Sequence, residues 1–316
     1  MTATDENLTV RATALTRQFG KRVAVNEVNL TLARGEVLGF LGPNGAGKTT
    51  TMQMITGNLA PSAGQVEICG VDMLERPRDA KARIGYLPET PPLYRDLTVN
   101  EFLALAARLH RVPRKQVGAA VDTARARCGL TDVGQRLIGT LSKGYQQRVG
   151  IAQAIIHNPD VVILDEPTVG LDPNQIRDIR ALIRELGGQH SVILSTHILP
   201  EVEQVCDRVQ IMHKGSLVFN DTIAGLRHFR GGTLMLGLRQ APAVEEIAAV
   251  PGVAHVEVVG PASDGMFRVE PEKGADPIDA LVARAAERGW RLSHVAPAAS
   301  HIEDVFVQLT QREEAA

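Results

Sequence analysis

The sequence predicts an α/β protein followed by a smaller α+β unit. Three observations carry this. A short apolar run, Val37–Leu41, leads into a glycine-rich loop and then a helical pattern. A β-branched run, Val161-Val162-Ile163-Leu164, has the character of a strand buried on both faces of a parallel sheet. Residues 233–316 alternate in the order βαββαβ, which is that of a ferredoxin-like module.

In chain order, alternating apolar residues at Leu8, Val10, Ala12 and Ala14 predict a first strand, and Val28, Leu30 and Leu32 a second. Val37–Leu41 is the third. Met52, Ile55 and Leu59 recur at helical spacing after the glycine loop, and strands return at Gln65–Ile68 and Arg83–Leu87. A helical insertion is expected over roughly 90–158. Thr98 and Glu101 form a capping box at the start of an Ala/Leu-rich helix reaching about Arg111, and helical pattern covers Lys115–Cys128 and Lys143–His157. Asp172-Pro173 is a helix start, Asp as N-cap and Pro at the first helical position, and that helix ends near Gly187-Gly188. A strand, Ser191–Ser195, follows. The pattern changes around Arg230-Gly231-Gly232, which sets a boundary between residues 1–230 and 231–316. In the second part, strand Thr233–Leu238, helix Val244–Val250, strands Val253–Val259 and Met266–Val269, helix Pro277–Glu287 and strand Trp290–Val295 are expected. A last helix would start at the capping box Ser300-x-x-Glu303 and bury Ile302, Val305, Phe306 and Leu309.

Composition narrows the function. The 316 residues are 44% hydrophobic and 22% charged, ordinary for a chain that buries a core. Net charge is -2 and aromatic content 3%, against both bulk phosphate-backbone binding and base-stacking platforms, so no nucleic-acid partner is expected. Cys69, Cys128 and Cys206 are odd in number and lack ligand spacing, which fits a reducing, cytosolic compartment. The polar, acidic start lacks the layout of a signal peptide. No apolar stretch approaches the roughly 20 residues that span a bilayer, so work on a membrane would go through a partner. His228, His255, His294 and His301 are scattered without ligand spacing, which weighs against metal sensing by the second unit.

The chemistry concentrates in two motifs. Gly42, Pro43, Asn44, Gly45, Ala46, Gly47, Lys48 and Thr49, followed by Thr50, satisfy G-x-x-x-x-G-K-[ST]. Glycines let backbone N–H groups turn inward to phosphate oxygens, Lys48 brings a compact cation, and the Thr49 hydroxyl is an oxygen ligand for Mg2+. The following helix adds its positive dipole end. The second motif is Asp165-Glu166 at the C-terminal end of the buried strand, where ligands of α/β sheets sit. Asp165 is placed to hold Mg2+. Glu166 is expected to point differently, because strand positions alternate, and to polarise an attacking water.

Between them stands Leu141-Ser142-Lys143-Gly144-Tyr145-Gln146-Gln147-Arg148-Val149. Here the chain resembles the ATP-binding subunit of an ABC (ATP-binding cassette) transporter, over roughly residues 8–225. The segment is similar to that family's Leu-Ser-Gly-Gly-Gln signature. Its drift to Leu-Ser-Lys-Gly-Tyr is similar to the exporter-type branch that includes gliding-motility and copper-site maturation ATPases. The resemblance implies a P-loop NTPase fold of ABC type, with a mostly parallel core sheet, an N-terminal antiparallel β subdomain and a helical subdomain. It implies ATP and Mg2+ as ligands. Phe19 matches the aromatic that stacks on adenine, or is a core residue. Glu89 takes the place of the family's metal-contacting glutamine. Asp172 matches the loop coupling the two sites, and His197 the switch histidine at the γ-phosphate. Thr49, Asp165 and Glu89 would hold the metal, with Glu166, His197 and Lys48 catalytic.

One phosphate loop and one signature imply two copies. Ser142, Lys143, Gly144 and Tyr145 would contact ATP bound to a second copy or a homologous cassette, and hydrolysis would release the pair. Separate transmembrane permease subunits are the implied partners, at the cytoplasmic face of the membrane, with Pro88–Leu97 and the helix after it as the docking surface. Pro91-Pro92-Leu93-Tyr94 would line that groove or pack as a loop. The alternative is a soluble cassette ATPase without a transport role, but those relatives usually carry two cassettes or a long coiled-coil insertion, and this chain has neither. For residues 231–316 a dimer-stabilising or partner-docking role is expected.

Overall fold

The computed structural model describes residues 7–229, 234–260, 265–272 and 275–297. The chain divides into two compact units after Asn220.

The first unit opens with β1 (Leu8–Phe19) and β2 (Arg22–Ala33), an antiparallel hairpin. β1 runs further than its alternation suggests because bulges shift its phase. Ala14, expected to face inward, is exposed with φ 47°, and Leu15 takes the buried position instead. Next come β3 (Val37–Leu41), α1 (Lys48–Ile55), β4 (Ala63–Ile68) and β5 (Val71–Asp72). β4 and β5 return to the hairpin and give a four-stranded sheet of order β2-β1-β4-β5.

The chain continues through α2 (Pro77–Lys81) and β6 (Ile84–Leu87) into the helical insertion. That insertion contains α3 (Val99–Leu109), α4 (Val117–Arg127) and α5 (Lys143–Ile155). Thr98 caps α3 with the expected box: its hydroxyl accepts the Glu101 N–H, and Glu101 accepts the Thr98 N–H. α3 ends at Leu109, short of Arg111, whose φ of 61° cannot continue a helix. β7 (Val161–Asp165), α6 (Pro173–Gly187), β8 (Ser191–Thr196), α7 (Leu199–Val205), β9 (Arg208–His213), β10 (Ser216–Thr222) and α8 (Ile223–Phe229) follow. The sequence pattern marks none of α2, α7, α8, β9 or β10.

Six strands form the central sheet in the order β10-β9-β3-β8-β7-β6. The pairs β3/β8, β3/β9, β7/β8 and β6/β7 are parallel. Alternation along these strands separates two cores. Val37, Val162, Leu164, Val192 and Leu194 pack with Leu103, Val121, Val149 and Ile183 from α3, α4, α5 and α6. Leu38, Phe40, Val161, Ile163 and Ile193 pack with Leu15 and Leu30 of the hairpin and Met52 and Ile55 of α1. Each such side chain stabilises the fold by roughly 1.5–3 kcal/mol on full burial. The parallel sheet is therefore sandwiched, which is why its strands read as continuous apolar runs rather than alternating ones.

Register sets the site. Leu41 lies beside Thr196, and Asp165 beside Ser195. Three adjacent strands, β3, β8 and β7, thus end together, and the next residues are Gly42, His197 and Glu166.

The second unit begins with α8 and continues with β11 (Leu234–Leu238), α9 (Val244–Ala248), β12 (Val253–Val258), β13 (Met266–Pro271), α10 (Ile278–Arg288) and β14 (Leu292–Pro297). Its antiparallel sheet has the order β12-β13-β11-β14, the ferredoxin-like arrangement that the element order predicts. Leu236, Phe267, Val269, Leu281 and Trp290 build its core. The helix expected from Ser300 lies outside the described residues.

Candidate functional site

At Gly42 and Gly47 the phosphate loop passes so close to neighbouring backbone that a side chain cannot fit. A Cβ on Gly42 would lie 2.5 Å from the Met212 carbonyl oxygen. At Gly47, φ is 109° and a Cβ would meet the Ala24 carbonyl oxygen at 2.7 Å. Gly47 is the N-cap of α1 and supplies no side-chain acceptor, so the first-turn N–H groups carry no capping side chain. Together with the dipole, this is a ready anion site. Lys48 folds back over the loop, and its Nζ donates to the carbonyls of Gly42 at 2.8 Å and Pro43 at 3.3 Å.

Glu166 follows the end of β7 in a left-handed conformation, φ 50°, with its N–H bonded to the Ser195 carbonyl. Its direction is thus set by this turn and not by strand alternation, since β7 already ends at Asp165. Glu166 Oε1 lies 3.3 Å from Lys48 Nζ, and Oε2 lies 2.9 Å from His197 Nδ1. With the carboxylate ionised, that contact places the histidine proton on Nδ1.

Asp165 is completely buried, and among the described residues neither of its carboxylate oxygens accepts a well-formed hydrogen bond. Burial pushes its carboxyl above the ordinary range, the nearby Ser195 and Thr49 hydroxyls pull it down, Glu166 adds repulsion, and Lys48 offsets part of it. A buried carboxylate left this way is costly unless a cation or proton meets it. The donor set fits a hard divalent ion: an orphaned carboxylate beside a threonine hydroxyl.

Gly47, Lys48, Thr49, Glu166 and His197 face a cavity of about 600 Å3, lined also by Phe19, Asn44, Gly45, Thr50 and Glu89, with the buried Asp165 outside its lining. Phe19 is 47% exposed at this rim, so it is not a core residue. The Arg17 guanidinium covers its ring at 4.6 Å. Arg22, Ala24 and Val169 line the same cavity and were not signalled by any motif. Arg22 and Ala24 reach it because β2 closes back over the loop, a long-range contact that local pattern does not encode.

Ser142 is the N-cap of α5, its hydroxyl accepting the Tyr145 N–H at 3.4 Å. Lys143 and Tyr145 are exposed. Gly144 is buried against α6, where a Cβ would meet Gln175 at 2.6 Å. Asp172 caps α6, accepting from the Asn174 and Gln175 N–H groups at 3.0 Å. Ser142–Tyr145 and Asp172 therefore belong to two helix starts packed together, while Lys48, Glu166 and His197 form the cluster at the cavity. Tyr94, at 60% exposure, stacks edge-on to Phe102, whereas Leu93 packs onto the core. No described helix is long and apolar enough to cross a membrane.

A glycine loop at a helix start, opposed by two carboxylates and a histidine from adjacent parallel strand ends, defines a phosphate-loop nucleotide-binding protein. The ABC transporter family model matches residues 25–169. The bacitracin transport ATP-binding protein BcrA of Bacillus licheniformis is 39% identical over 211 residues, 66% of this chain and 68% of that protein. The Nod factor export ATP-binding protein I of Rhizobium meliloti is 32% identical over 302 residues, 95% of this chain and 87% of that protein. The solved ATP-binding subunit of an ABC transporter superposes with a TM-score of 0.64 at 30% identity, covering 69% of this chain and 92% of that one. The chain belongs to the ATP-binding proteins of ABC transporters, and it binds and hydrolyses ATP.

Proposed function

We propose that this protein powers a multi-subunit exporter by closing as a pair around ATP and reopening on hydrolysis. The observation that carries this is the Lys48–Glu166–His197 cluster facing the cavity, with the orphaned Asp165 carboxylate behind it. Gly42 to Thr50 cradle the phosphates and Phe19 stacks on the base. Glu166 accepts the proton of the attacking water, and Lys48 and His197 stabilise charge on the phosphates. Thr49, Asp165 and Glu89 hold Mg2+, whose charge would neutralise the outer phosphates when bound. Ser142, Lys143, Gly144 and Tyr145 of a second copy, or of a homologous cassette, complete the site, and Asp172 couples the two. ATP then favours the closed pair by contacts that the diphosphate lacks.

The names of the bacitracin and Nod factor relatives support an export role. Separate transmembrane subunits would receive the work at the cytoplasmic face of the membrane, through Pro88–Leu97 and α3. Residues 1–230 form the ATP-binding domain and 231–316 an accessory domain. This boundary and the compact units differ by α8.

Light scattering on the Glu166→Gln protein tests the central claim. ATP is expected to raise the mass from near 34.0 kDa toward twice that value, and ADP to leave it unchanged. A monomer at saturating ATP, alone and with its co-purified membrane subunits, overturns it.

A further inference from the structure

The end of β8 carries a buried network to which the roles above give no part. Glu201, in the first turn of α7, is 1% exposed. Its Oε2 accepts a hydrogen bond from the Thr196 hydroxyl at 3.1 Å, and its Oε1 lies 3.4 Å from Arg180 Nη2 on α6. Arg180 is itself held by Gln204, its Nη1 donating to Oε1 at 3.1 Å. The Thr196 hydroxyl oxygen in turn accepts the Ile198 N–H at 3.1 Å. On the other side, the Thr196 carbonyl accepts the Gly42 N–H, the first amide of the phosphate loop, at 3.3 Å.

His197 therefore sits between two residues whose positions are set by one carboxylate. Glu201 has both oxygens engaged, one on α6 and one on the strand end, so it cannot shift without leaving a buried donor or charge unpaired. The Thr196 hydroxyl passes this constraint to the amide that follows the histidine. We infer that Glu201 is a positioning residue for His197: through Thr196 it fixes the backbone on both sides of the histidine so that Nδ1 reaches Glu166. The inference rests on the charge-stabilising role assigned to His197 above. Misplacement of a reacting group by an ångström can cost on the order of a hundredfold in rate. Loss of this clamp should therefore slow turnover while nucleotide binding at the loop persists.

The test uses the full chain with Thr196→Val, Thr196→Ser, Glu201→Gln, His197→Ala and the Thr196→Val/His197→Ala pair. Steady-state hydrolysis gives kcat and KM, and thermal unfolding checks the fold. Thr196→Val is expected to lower kcat about tenfold with KM within about twofold. Thr196→Ser, which keeps the hydroxyl, is expected to restore the rate. Glu201→Gln has one acceptor oxygen for two donors and is expected to slow turnover in the same way. The double variant is expected to be no slower than His197→Ala alone, because both changes act through one group. An impaired His197→Ala beside an unaffected Thr196→Val and Glu201→Gln overturns the positioning role alone, as does an additive double variant. A full rate in His197→Ala overturns the role of His197, and the positioning role falls with it. Should Thr196→Val fail to fold, Glu201→Gln decides by the same readings, alone and combined with His197→Ala.

Discussion

Lys48 Nζ and Glu166 Oε1 lie 3.3 Å apart, and both side chains are more than nine-tenths buried. The cation that should meet the phosphates is thus already paired with the carboxylate that should meet the water. Binding of ATP has to loosen that pair, and the attraction it breaks opposes affinity. Glu166→Gln removes the opposing charge while keeping the shape. The expected result is tighter ATP binding, by about tenfold, equal to ~1.4 kcal/mol, alongside loss of turnover. Titration with a fluorescent ATP analogue checks it. Equal or weaker binding in the variant would show that the pair does not compete with phosphate.

Asp165 gives a pH-dependent stability. Its carboxyl is pushed up by burial. An acid with a raised native pKa stabilises the fold fully below its unfolded value and loses that contribution as pH climbs through the raised one. Nucleotide-free wild type should therefore lose stability relative to Asp165→Asn as pH rises from 3.8 toward neutrality. At pH 7 the variant should be more stable by about 1 kcal/mol, or roughly 2–4 °C in Tm. With ATP and Mg2+ the order should reverse. Calorimetric scans across pH, with and without Mg2+-ATP, measure both.

The phosphate loop, the Asp165-Glu166 pair and the helix starts at Thr98, Ser142 and Asp172 were legible because each is a local pattern with a local cause. Glycine loops, caps and buried strands are decided within a few residues. The phase of β1 was not legible, since Ala14 faces solvent only because a bulge there is held by Asn29 Oδ1 across the hairpin. The direction of Glu166 was not legible either, because its turn is fixed by the Ser195 carbonyl on the neighbouring strand. Arg22 at the cavity and Glu201 behind His197 belong to the same class. Each acts through partners that are distant or in unmarked elements.

Lys143 heads α5, where its charge opposes the helix dipole. It stands against Gly170, whose φ of 70° and lack of a Cβ leave room for the ammonium. No acidic residue lies in the first turn of α5 to offset it. An anion delivered by a second copy would. Lys143→Ala should thus weaken ATP-dependent pairing by about threefold to tenfold at low salt, with the difference shrinking as salt screens the contact. Sedimentation at two ionic strengths reads this directly. Equal dimer populations at low salt would refute it.

His157 stacks on His110 with ring centroids 3.8 Å apart, and its Nε2 lies 3.1 Å from the Ile84 carbonyl. Burial first, then His110, lowers its pKa to about 4, with His190 adding to the decrease and the Ile84 carbonyl opposing it. Burial lowers His110 as well. For a histidine with a depressed native pKa, the unfolded chain binds more protons between the two values, so stability rises with pH there. Wild type should lose stability as pH falls from 6.5 to about 4. His157→Phe, which keeps the stacked ring, should flatten that slope, so that its Tm falls by a few degrees less than wild type over this interval. Unfolding curves at half-unit pH steps distinguish the two.

Gly85, in the middle of β6, packs against the end of α5 that lies opposite Ser142–Tyr145. A Cβ there would collide with the Ala154 carbonyl oxygen near the end of α5, and would press on Pro159 at 3.1 Å. The obstructing atom is backbone, so no side-chain rotation relieves it. Gly85→Ala is expected to move α5 away from the sheet, at a cost of about 1–3 kcal/mol in urea unfolding. The same helix begins at Ser142–Tyr145, whereas the phosphate loop hangs on β3 and α1, which do not carry the strain. ATP-dependent pairing should consequently fall while nucleotide binding to the single chain stays within about twofold. Parallel loss of both would mean that the strain spreads through the sheet rather than along α5. Pairing of the folded variant at the wild-type level would mean that β6 yields instead of the helix.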